Sequence, residues 1–77
     1  METYNHIDYR KCPYFNVGIP NQWYEDGFFL YEGMVYRFSE DRHDSNYRVD
    51  MRQTPQDFRF YARERKLEVP PAFMKLL

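Results

Sequence analysis

Cysteine is nearly absent from this chain: Cys12 is the only one, so no internal disulfide can form. A small domain without a disulfide fits a reducing cytosol. Long hydrophobic runs are missing too. No stretch approaches the roughly 18 apolar residues of a membrane span. The start, Met1-Glu2-Thr3-Tyr4-Asn5-His6, lacks the basic and apolar regions of a signal peptide. The sequence reads as a complete short open reading frame. Net charge is only −1, so no global field draws the chain to nucleic acid or to an anionic surface. Aliphatic side chains are scarce as well, with ten Leu, Ile and Val in 77 residues. Rings take their place: Phe, Tyr and Trp number 16. Each ring buries about 150–250 Å², so a few of them can close a core in a domain of this size.

The order of the signals predicts an α+β domain. Residues 1–20 form an irregular arm punctuated by Pro13, Gly18 and Pro20. The arm carries Ile7, Tyr9, Tyr14, Phe15, Val17 and Ile19, too much apolar surface for a free tail. Residues 21–27 admit two readings. Asn21 caps a helical turn ending at Gly27, or Asp26-Gly27 is a two-residue hairpin turn. A three-stranded antiparallel meander is expected over 28–52. A tight turn at Glu32-Gly33 pairs Tyr31 with Met34, Leu30 with Val35 and Phe29 with Tyr36. Tyr47-Arg48-Val49-Asp50-Met51-Arg52 alternates strictly, with Arg48, Asp50 and Arg52 on the polar side. Thr54-Pro55-Gln56-Asp57 starts a helix: Thr caps, Pro suits the first position, and Asp sits at the positive end of the dipole. That helix is expected over 55–67, blocked by Val69-Pro70-Pro71, with residues 68–77 as a short tail.

Nothing in the chain carries the pattern of a catalytic or metal site. The loop Glu40 to Asn46 clusters oxygens, but it lacks the central Gly and distal Glu of a calcium loop, and Arg42 interrupts it. Cys12, His6 and His43 are too few for structural zinc, which takes four ligands. Activation of the Cys12 thiolate requires a positioned base, and no such partner can be argued. There is no glycine-rich phosphate loop. The chain is therefore read as a non-enzyme without metal or cofactor.

Two surfaces stand out as candidate contacts. On a helical wheel, Phe58, Tyr61 and Ala62 form the stripe expected to meet the sheet. Arg59, Arg63 and Lys66 share an arc beside it, and Phe60 falls on the far side. The ordinary account of such an arc is a solvated helix face. The functional account is a partner-binding surface with Phe60 as anchor. On the sheet, Phe28, Leu30 and Val35 share the face opposite Phe29, Tyr31, Tyr36 and Phe38. With the helix expected on the larger ring face, the Phe28/Leu30/Val35 face is covered by the arm or serves partner binding and self-association.

These features support a small protein-binding module, cytoplasmic, that regulates or inhibits a larger partner. Aromatic and Arg side chains are the usual interface anchors. Short phage-encoded or mobile-element accessory proteins share this profile by analogy. The alternative is a nucleic-acid-binding domain that uses Arg48 and Arg52 on the sheet with Arg59, Arg63 and Lys66 on the helix.

Overall fold

The computed structural model describes residues 4–77; the first three residues of the expected arm lie outside them. The architecture is α+β, with a four-stranded antiparallel sheet in sequence order. Strand β1 is Tyr14–Asn16, β2 is Tyr24–Tyr31, β3 is Met34–Asp41 and β4 is Asn46–Gln53. Helix α1 spans Pro55–Glu64 and a short α2 spans Pro71–Met74.

The extra strand comes from the arm. Tyr14, Phe15 and Asn16 pair with Phe29, Phe28 and Gly27, so the sheet has four strands rather than three. Gly27 permits this approach: a methyl group there would overlap the Phe15 carbonyl oxygen. Neither reading of residues 21–27 holds. Tyr24 to Gly27 continue β2 and pair with Asp41 to Phe38. Asn21 does act as a local cap, accepting from the backbone N–H of Trp23 and Tyr24 at 2.8 and 2.7 Å, but it caps a turn that leads into a strand.

The Glu32-Gly33 hairpin forms with the expected register. Both turn residues have positive φ, 49° and 79°, the geometry that matches the twist of the flanking strands. The alternation in β4 does not run to its end. Val35 faces Gln53 and Arg37 faces Asp50, so Tyr36 opposes two residues, Met51 and Arg52. Met51 takes φ 54° at this bulge. The extra residue reverses the facing of everything after it. Arg48 and Asp50 stay on the α1 side of the sheet, while Arg52 moves to the other.

The two layers cover the faces in the reverse of the expected order. Phe29, Tyr36, Phe38 and Val49 pack under the arm residues Ile7 and Tyr9. The Tyr9 ring stacks on Phe38, with centroids 3.9 Å apart and planes 11° from parallel. Phe15, Phe28 and Val35 pack under Phe58 and Ala62 of α1 and Phe73 of α2. Each layer brings its own apolar side chains to the face it covers: Phe58, Ala62 and Phe73 to Phe15, Phe28 and Val35, and Ile7 and Tyr9 to Phe29, Tyr36, Phe38 and Val49.

Helix α1 begins as expected: Thr54 Oγ1 accepts from the Asp57 N–H at 3.1 Å. It ends three residues earlier than expected. Lys66 adopts φ 52°, and two N–H groups turn back, Lys66 to the Arg63 carbonyl (3.2 Å) and Leu67 to the Ala62 carbonyl (2.9 Å). This closes the helix with the double bond of a Schellman motif, with lysine in the position glycine usually fills.

Candidate functional site

Phe60 is the residue around which the candidate surface is built. Its neighbours Phe58 and Ala62 are buried against the sheet. Two positions along from Phe58 is about 200° around a helix, so Phe60 points away from the core. It is 64 % exposed. The C-terminal segment does not cover it: Phe73 of α2 inserts instead beside Phe15 and Phe58. Phe60 sits in a shallow groove bordered by Gln56, Asp57, Arg59 and Arg63. Arg63 is exposed. Arg59 has a second role, donating from Nη2 to the Leu77 carbonyl oxygen at 3.3 Å.

Lys66 does not join this groove. Its left-handed backbone carries it past the end of α1 to a second groove, shared with Arg65, Leu67 and Ile19. The Arg65 guanidinium lies over the Tyr61 ring, 4.7 Å from its centroid. The basic arc expected on one side of the helix is thus divided between two grooves.

The Phe28/Leu30/Val35 face is covered from within the chain. Phe28 and Val35 are buried and Leu30 is half-buried, all against α1 and the residues that follow it. Self-association through this face would require α1 to leave the sheet. The arginine set of the nucleic-acid alternative is also not assembled, because the β4 bulge places Arg48 and Arg52 on opposite faces.

The arm face holds a charged cluster that sequence reasoning missed. Glu25 and Glu40 face each other across β2 and β3. Arg42 Nη2 reaches both, at 2.8 and 3.0 Å, and Arg10 Nη2 reaches Glu40 at 2.7 Å. Asn16 Nδ2 donates to Glu25 at 2.7 Å. The Tyr9 hydroxyl lies 3.1 Å from Glu25 and 3.2 Å from Glu40. Burial, then the two carboxylates, pushes the Tyr9 phenol well above its ordinary value. Burial by itself would raise the Glu25 carboxyl, but hydrogen bonds from Asn16, Arg42 and Tyr9 outweigh it and hold it below the ordinary carboxylate value. The carboxylates are engaged by fixed donors, an arrangement that ties the arm to the sheet. The sequence signal lay in the register: Glu25 opposite Glu40 demands nearby cations.

The remaining polar candidates have local work. Asp41 Oδ1 accepts from the N–H groups of His43 and Asp44 at 3.0 and 3.3 Å, closing the β3–β4 turn. His43 and Asp44 are solvent-exposed. No cluster of three or more His, Cys, Asp or Glu suited to a metal occurs among the described residues. Burial and the nearby Asp8 push the Cys12 thiol up, away from thiolate reactivity. No helix among the described residues is long and apolar enough to cross a membrane.

Compared with protein-family models, with curated proteins and with solved structures, the chain matches none.

Proposed function

We propose that this chain is a small, non-catalytic protein-binding module of the cytoplasm that regulates or inhibits a larger partner, with Phe60 as the anchor of its contact surface. The exposure of Phe60 carries this reading. An aromatic ring held on a rigid helix loses little freedom on binding and offers a large apolar area. Arg63, and Arg59 if it releases the Leu77 carbonyl, supply bidentate donors at the rim for partner carboxylates. The profile is that of an accessory protein, such as phages and mobile elements encode.

The test compares affinity capture from the source cell by the wild type, by Phe60→Ala and by the double variant Arg59→Glu, Arg63→Glu. The expected result is one protein retained by the wild type and lost with Phe60→Ala, while both variants melt as the wild type does. Retention of that protein by Phe60→Ala would overturn the reading. Retention of nucleic acid instead, with affinity falling steeply as salt rises, would favour the alternative.

A further inference from the structure

A second side chain is more exposed than Phe60. Ile19 is 97 % exposed, yet the loop that carries it is short and fastened at both ends. The Val17 N–H donates to the Asp26 carbonyl at 2.9 Å, and the Asn21 N–H donates to the Tyr24 carbonyl at 3.1 Å. Only Gly18, Ile19 and Pro20 bridge these points. Gly18 supplies the positive φ, 78°, that the turn needs, and the stiffness comes from Pro20, whose φ is fixed by its ring, and from the two flanking hydrogen bonds. A β-branched side chain is thereby held in water by a stiff loop, so engaging it carries little ordering cost.

Beside Ile19 runs the groove that also receives Arg65, Lys66 and Leu67 from the end of α1. Leu67 gives it a half-buried apolar floor against the helix-side core. Arg65 and Lys66 give it two cations, against Glu68 as the single acid on its walls. Helix ends usually carry exposed carbonyls that repel anions. Here the Ala62 and Arg63 carbonyls are occupied by the N–H groups of Leu67 and Lys66, and Arg65 and Lys66 set two cations at the rim.

We propose that this groove takes an extended acidic segment of the partner protein, one apolar side chain resting on Ile19 and Leu67 and its carboxylates on Arg65 and Lys66. The inference rests on the reading of the domain as a protein-binding module and adds a second site to it. Arg63 borders the Phe60 groove and Lys66 the Ile19 groove, three residues further on. The Phe60 site therefore lies along α1 and the Ile19 site begins just past its C-terminal end.

The test is amide chemical-shift mapping of the intact chain with three probes: a capped peptide of alternating leucine and glutamate, its leucine–lysine counterpart, and a short oligothymidylate. The expected result is that the acidic peptide shifts the amides of Gly18, Ile19, Lys66 and Leu67, that the lysine peptide does not, and that Ile19→Ser weakens the acidic peptide by about tenfold or more. Being solvent-exposed, Ile19→Ser leaves the melting temperature unchanged. Equal shifts from the lysine peptide, no shift at these amides, or an undiminished affinity in Ile19→Ser would each overturn the proposal. So would a stronger, steeply salt-dependent response to oligothymidylate, which would make the groove a phosphate contact. Shifts confined to the amides around Phe60 and Arg63, lost with Phe60→Ala, would sink the Ile19 site and leave the Phe60 reading standing. Shifts at Gly18, Ile19, Lys66 and Leu67 that survive Phe60→Ala would show that the Ile19 site stands on its own, whatever becomes of the Phe60 reading.

Discussion

Glu25 and Glu40 stand directly opposite each other in adjacent strands, and a single guanidinium nitrogen of Arg42 bonds to both. Like charges at such positions repel, so the pairing is stable only with its cations in place. Arg42→Met should destabilise the domain by about 1 kcal/mol or more at neutral pH. It should also loosen the arm, since Arg10 bonds to Glu40 and the Tyr9 hydroxyl to Glu25 and Glu40. Urea unfolding with hydrogen exchange at Tyr9 to Cys12 checks both effects.

The same cluster sets a response to acid. Glu25 is held below the ordinary carboxylate value in the folded state, so the unfolded chain binds the proton more readily. Stability from this group is therefore complete above the ordinary value of about 4.3 and falls as pH drops through the depressed one. Denaturation midpoints measured from pH 7 down to pH 2 should decline below about pH 4.5. In Glu25→Gln that decline should be shallower.

An alkaline response has the opposite sign. Burial pushes the Tyr47 phenol up to about 12, and its hydroxyl donates to the Ile7 carbonyl at 2.7 Å. The folded state holds this proton where the unfolded state, near pH 10, has begun to release it. Stability is full below about pH 10 and is lost as pH rises toward 12. Tyr47→Phe should cost about 1 kcal/mol at pH 7 and flatten the alkaline limb. A phenolate absorbance titration beside the unfolding curve checks the assignment.

Local chemistry made some of this fold legible in the sequence, and long-range pairing hid the rest. Thr54-Pro55 and Glu32-Gly33 declare themselves because capping and tight turns depend on neighbouring residues alone. The bulge at Met51-Arg52 left no mark, since neither residue favours positive φ. Strand β1 was hidden for a different reason. Tyr14-Phe15-Asn16 is too short to show a period, and its partner site is defined by the bare backbone of Gly27, twelve positions away from Phe15. Which layer would cover which sheet face was also beyond the pattern, because both faces are ring-rich. Of the candidate surface, Phe60 and the arginines beside it could be read from the wheel. Lys66 could not be placed, because its left-handed turn ends the wheel at Arg65.

Lys66 offers a stability test that leaves the contacts of the core untouched. A non-glycine residue in the left-handed region is strained, and glycine relieves it. Lys66→Gly should raise stability by up to about 1 kcal/mol. Unchanged or lowered stability would mean that the lysine side chain contributes more than its backbone costs.

Phe58 and Phe60 are two residues apart, equal in size and opposite in surroundings. Phe58 is fully buried, in contact with Phe15, Phe28 and Phe73. Removing its ring opens a cavity that this small domain cannot close without shifting α2, so Phe58→Ala should cost about 3–5 kcal/mol. For a domain of 77 residues, that is a large fraction of the about 5–15 kcal/mol that ordinarily separates folded from unfolded. Phe60 gives up no comparable contacts, and alanine is the better helix former. Phe60→Ala should therefore change stability by no more than about 0.5 kcal/mol in either direction. The proposal that Phe60 anchors a partner requires that its ring contribute this little to the fold. A loss of several kcal/mol in Phe60→Ala would show that the ring is packed in solution after all, and the Phe60 contact surface would have to be given up. An intact fold with lost binding would leave recognition as the remaining account of Phe60.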